Sequence, residues 1–105
     1  GILILASGNV VHNLRAMDWR NPDGSFDWAS RFDQAAEELI TSAPGDVLKL
    51  LEHPDYARAA PTPDHFIPLL YTAGLASEDG SLDPFIKGVT MGSISMTSYG
   101  SGLPG

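Results

Sequence analysis

Gly1-Ile2-Leu3-Ile4-Leu5-Ala6-Ser7-Gly8-Asn9-Val10-Val11-His12 is the stretch that decides the fold class. Its first part is an unbroken apolar run with no polar alternation. That pattern belongs to a strand buried on both faces of a sheet. Ser7-Gly8-Asn9 is a turn-forming set that ends the strand. A strand covered on both sides needs helices to cover it, so the reading is α/β. A chain that opens on a central strand with no Met reads as a piece of a larger domain.

Working outward, Val10–Met17 predicts one or two helical turns, and residues 18–25 predict a surface loop rich in turn formers. The clearest helix spans about Asp27–Ser42. Trp28, Phe32, Ala35, Ala36, Leu39 and Ile40 recur at the helical period, while Arg31, Asp33, Glu37 and Glu38 fall outside that stripe. Pro44-Gly45 stops it, and Asp46–Glu52 predicts a second helix presenting Val47, Leu48, Leu50 and Leu51 to the core. Asp55–Ala60 suits one helical turn.

Thr62-Pro63-Asp64 is a helix start, with Thr as N-cap, Pro at the first position and an acid in the first turn. That helix runs on to Gly74 as C-cap, with a kink expected at Pro68. A loop over Ala76–Pro84 and an alternating extended segment over Val89–Tyr99 follow, and residues 100–105 read as a frayed tail. No linker or repeat divides the chain, so residues 1–105 are read as one unit.

Composition excludes several functions. Lys and Arg number 6 against 13 Asp and Glu, a net charge of -7. Nucleic acid and anionic membranes want a basic face, so neither is expected as a partner. There is no cysteine, which removes disulfides and thiolate chemistry. The longest apolar run is too short to span a bilayer. A cytoplasmic setting fits these features.

His12, His53 and His65 are the only candidates for acid/base work near neutral pH or for nitrogen ligation of a metal. His12 follows the strand and its turn, where open sheets place their ligands; a capping or surface role is the structural alternative. His65 opens a helix, whose positive end disfavours imidazolium and so favours the neutral, metal-binding ring. Helping to satisfy the helix start is the alternative there. His53 precedes Pro54 and reads as structural. Asp55 and Asp64 could support the histidines, though solvated acids are the simpler account of both.

Three blocks go further. Ile4-Leu5-Ala6-Ser7-Gly8-Asn9-Val10-Val11-His12-Asn13-Leu14-Arg15 resembles the "S-G-x-x-x-H-x-L" segment of the 4,5-DOPA dioxygenase extradiol family, whose members are class III extradiol ring-cleaving dioxygenases. Pro61-Thr62-Pro63-Asp64-His65-Phe66-Ile67-Pro68-Leu69-Leu70-Tyr71 resembles its "P-T-x-[ED]-H-x-x-P-L" segment. Gly92-Ser93-Ile94-Ser95-Met96-Thr97-Ser98 resembles its final strand, and the Phe26-Asp27-Trp28 helix start also fits.

The resemblance implies the C-terminal half of one such domain, with a mixed central sheet flanked by helices. It implies an oxidoreductase that opens a catechol-type ring beside its diol with dioxygen, at a non-haem metal. That metal is iron(II), with zinc in some members. His65 maps onto one metal ligand and His12 onto the acid/base near the substrate. Two further histidine ligands belong to the N-terminal half. The implied partners are therefore a catechol, dioxygen, and either that half or another copy of the chain, and the chain alone is expected to be inactive. Two alternatives stand beside this reading: a non-catalytic binding or structural piece of the same fold, and a metal-dependent hydrolase built on His65 and nearby acids.

Overall fold

The computed structural model describes residues 4–79 and 82–101. Its organising element is helix α1, Asp27–Ser42, with the bounds that the apolar period predicts. Ala29, Phe32, Ala36 and Ile40 are its buried residues, one per turn, while Trp28, Ala35 and Leu39 flank them half-buried. Full burial of a side chain such as Phe32 or Ile40 is worth about 1.5–3 kcal/mol. Around that face gather Val10, Val11, Val47, Leu50, Ala59, Phe66, Ala73 and Leu82. Phe32 touches Tyr56 and Phe66, with ring centroids 6.1 Å from each.

After α1 the chain forms a 3-10 helix over Pro44–Glu52, beginning at the proline expected only to stop α1. This geometry corrects the expected core set. A 3-10 helix has three residues per turn, so positions three apart eclipse. Pro44, Val47 and Leu50 therefore share the buried ridge. Leu48 and Leu51 form the next ridge and stay 60% and 42% exposed.

Helix α2, Tyr56–Ala59, is the expected single turn. A 3-10 turn, Pro63–His65, then starts at the predicted proline, although Thr62 makes no side-chain cap bond. Helix α3, Ile67–Asp79, follows directly. Pro68 stands in its first turn, where a missing N–H costs nothing, so the helix begins afresh there instead of kinking. It also runs past Gly74, which therefore does not cap it, into the segment expected as a loop.

The extended C-terminal segment is broken into short strands: β1 (Asp83–Ile86), β2 (Val89–Thr90), β3 (Ile94–Ser95) and β4 (Ser98–Gly100). Met91 at φ 54° and Gly92 at φ 78° fold β2 back onto β3, which a single strand could not allow. β1 pairs antiparallel with β4, with a register irregularity between Pro84 and Ile86. Gly100 lies in β4, so the expected tail starts later, and residues 102–105 lie outside the described ones. The architecture is α/β, with helices packed against small antiparallel sheets.

The first strand differs from expectation. Gly1–Leu3 lie outside the described residues, and residues 4–9 form no strand. Ile4 and Leu5 are 57% and 89% exposed. A strand buried on both faces exists only where neighbours take its N–H and C=O groups. Among the described residues the strands pair with one another, and none of them pairs with this run.

Candidate active site around two histidines

The run after Ser7-Gly8-Asn9 lies along β3. The Ser95 N–H donates to the Val11 C=O (2.9 Å), and the Asn13 N–H donates to the Ser93 C=O (3.1 Å), so His12 faces Ile94 across an antiparallel bridge. On its other side the His12 N–H donates to the Ala59 C=O (2.8 Å) at the end of α2. Asn13 locks the exit. Its Oδ1 accepts from the Ala16 N–H and its Nδ2 donates to the Arg58 C=O. Only one short turn, Leu14–Ala16, forms where one or two helical turns were predicted.

His65 is carried by the Pro63–His65 turn. Its C=O accepts from the Asn9 N–H (2.7 Å). Gly8 passes so close to that carbonyl that a Cβ on it would collide with its oxygen and crowd the Pro68 ring. The two histidine-bearing segments are thereby bound backbone to backbone.

The result is a face-to-face stack of the His12 and His65 rings, with centroids 3.6 Å apart and planes 12° apart. Burial lowers the His12 pKa below its ordinary value, and the neighbouring His65 ring adds to the effect. A neutral His12 is the form that can accept a proton. His65 is 43% exposed at its side chain and lines a cleft of about 210 Å³, together with Leu5, Asn9, Leu69, Thr97 and Tyr99.

Metal fit follows from the same geometry. Imidazole lone pairs lie in the ring plane, and a bound nitrogen stands about 2.0–2.1 Å from a metal such as zinc. Two stacked rings send their lone pairs into parallel planes and cannot both reach one ion. The pair therefore offers one ligand and one free imidazole. No group of three or more His, Asp or Glu side chains converges among the described residues. The described residues do not make a complete iron site by themselves.

The other candidates separate cleanly. His53 sits edge-on to Phe32 (5.3 Å), and its Nδ1 accepts the Asp55 N–H (3.0 Å). That is a structural role. Asp55 is engaged by Arg31 through Nε (3.0 Å) and Nη2 (3.2 Å), which holds its carboxyl below the usual range. Asp64 comes within 3.8 Å of His65 Nε2 but is 71% exposed.

Sequence reasoning missed Asp33, which was grouped with the residues outside the apolar stripe of α1. Its carboxylate accepts from Ser95 Oγ (2.5 Å) and Thr97 Oγ1 (2.7 Å). Burial raises its pKa, with the two hydroxyls opposing that rise. Beside it the Tyr99 hydroxyl is buried with no hydrogen-bond partner among the described residues, and burial raises its pKa strongly. The alternation of Ser95, Thr97 and Tyr99 on one face was the available signal. What it faced was not readable locally.

Comparison with known proteins supports the resemblance. No family model matches the chain. The 4,5-DOPA dioxygenase extradiol of Escherichia coli (strain K12) is 35% identical over 102 residues, covering 93% of this chain and 38% of that protein. The 4,5-DOPA dioxygenase extradiol of Beta vulgaris is 30% identical over 101 residues, covering 94% of this chain and 37% of that protein. A crystal structure of an uncharacterized protein from Escherichia coli K12 matches the fold with a TM-score of 0.73 at 35% identity, covering 89% of this chain and 40% of that one. The chain is thus a relative of the 4,5-DOPA dioxygenase extradiol family over nearly its whole length, and it spans 38% and 37% of the two curated relatives.

Proposed function

We propose that this chain carries part of the active site of an extradiol ring-cleaving dioxygenase, as the C-terminal half of its catalytic domain. The observation that carries the reading is the meeting of His12 and His65 ring on ring beside a cleft. In this reading His65 is one ligand of a non-haem metal, iron(II), and His12 is the acid/base at the substrate. The remaining ligands come from the missing N-terminal half or from another copy of the chain.

The iron, when bound, supplies the centre at which a catechol diolate and dioxygen meet. The chain's own part is proton handling and orientation. Neutral His12 takes a proton from a catechol hydroxyl as it ionises and holds it for return to the product. The Ala59 and Ser93 carbonyls, bonded to the His12 and Asn13 N–H groups, keep that ring in place. The apolar side chains of Leu5 and Leu69 on the cleft suit an aromatic ring.

The proposed partners are a catechol-type molecule, dioxygen and the complementary half. The exposed apolar side chains Ile4, Leu5 and Phe85 near the cleft support the last of these. No helix among the described residues is long and apolar enough to cross a membrane, and a cytoplasmic setting belongs to the proposal. The second reading is a non-catalytic binding or structural piece of the same fold.

The experiment that separates them mixes this chain with a complementary N-terminal half, iron(II) and a catechol. Oxygen uptake with ring-opened product, lost on His12→Ala and on His65→Ala, supports the dioxygenase. A mixture that binds no iron and opens no ring overturns it.

A further inference from the structure

The spacing of the two rings depends on how their segments are tied, and one residue ties them. Asn9 precedes His12 in the same run. Its N–H donates to the His65 C=O and its Nδ2 donates to the Ser95 C=O, both at 2.7 Å. Ser95 already donates its own N–H to the Val11 C=O. In a regular antiparallel pair the two facing residues exchange both bonds. The Ser95 C=O is thus the acceptor that the Val11 N–H would take, and the Asn9 amide takes it instead.

Asn9 therefore bonds three segments at once: the run bearing His12, the turn bearing His65, and β3. Val10 and Val11, 3% and 0% exposed, stop the run from sliding between them. Gly8 lets the run approach the His65 carbonyl closely enough for the first bond. We propose that Asn9 is a positioning residue that sets the stacked spacing of His12 and His65. An alanine at this position keeps the backbone bond to the His65 C=O but loses the side-chain bond to the Ser95 C=O. An aspartate reaches Ser95 but sets oxygen against oxygen.

The consequence for catalysis rests on the functional reading above, but the geometry is measurable without turnover. In the unaltered, isotope-labelled chain, the Asn9 Nδ2 protons exchange with solvent about tenfold more slowly than those of a free amide, as befits a part-buried bond. In Asn9→Ala and Asn9→Asp, the ring protons of His12 and His65 leave each other's ring current. They move toward the positions seen in His65→Ala and His12→Ala respectively.

Thr41→Ala is the control for a merely structural loss, because Thr41 Oγ1 bonds only within α1. It shifts the melting temperature and leaves the ring protons in place. Unmoved ring protons in Asn9→Ala overturn the proposal. If that variant fails to fold, unprotected Nδ2 protons in the unaltered chain overturn it instead. A failed complementation assay with these ring shifts intact counts against the dioxygenase reading and not against Asn9.

Discussion

The His12 and His65 rings lie flat against each other, 3.6 Å apart at their centroids. In the proposed function, stacking in parallel planes lets the pair divide into a ligand and a base, and it prevents them from acting as two ligands of one ion.

That division predicts different losses in a preparation that cleaves a catechol. His12→Ala lowers kcat by about 10²–10⁴-fold, the usual share of a general acid/base, and leaves iron content unchanged. His65→Ala lowers iron content itself. Metal analysis beside oxygen uptake distinguishes them, and equal iron loss in both variants would reverse the roles.

Two glycines should respond oppositely to a methyl group. Gly8→Ala drives a Cβ into the His65 C=O and crowds the Pro68 ring, and costs about 1–3 kcal/mol as overpacking does. Gly74→Ala meets nothing within 4 Å and sits inside α3. It stabilises by about 0.5–1 kcal/mol through the helix preference of Ala over Gly. Urea midpoints of the two variants check the sign of each.

Asp33 gives stability a pH dependence of known sign. Burial raises its folded pKa above the ordinary 3.8. Between the two values the folded state binds the proton and the unfolded state does not, so stability falls as pH rises through that window and levels off above it. Asp33→Asn cannot ionise and lacks this component. Denaturation series across the acid range compare the slopes, and identical slopes would exclude Asp33 as the source.

Phe32 is 0% exposed where α1 meets α2 and the residues before α3. Phe32→Ala costs about 3–5 kcal/mol, the range for deleting a buried ring. That is a large share of a small domain's 5–15 kcal/mol. Calorimetry should show a sharply lowered or lost transition.

The bounds of α1 and the start at Pro63 were legible in the sequence. Each is governed by side chains within a few residues of one another: an apolar period and a proline at a first turn. The exposed Leu48 and Leu51 were not legible, because a 3-10 and an α-helical ridge share the same local composition. That residues 4–9 form no strand was not legible either, since an apolar run states a preference for burial and does not name what will cover it.

The tertiary structure alone decided that His12 meets His65, that Asn9 reaches Ser95 and that Asp33 faces Ser95 and Thr97. Those contacts join residues far apart in the chain. No local period encodes them, because their geometry is set by how α1, the Pro63 turn and β3 pack around one shared core.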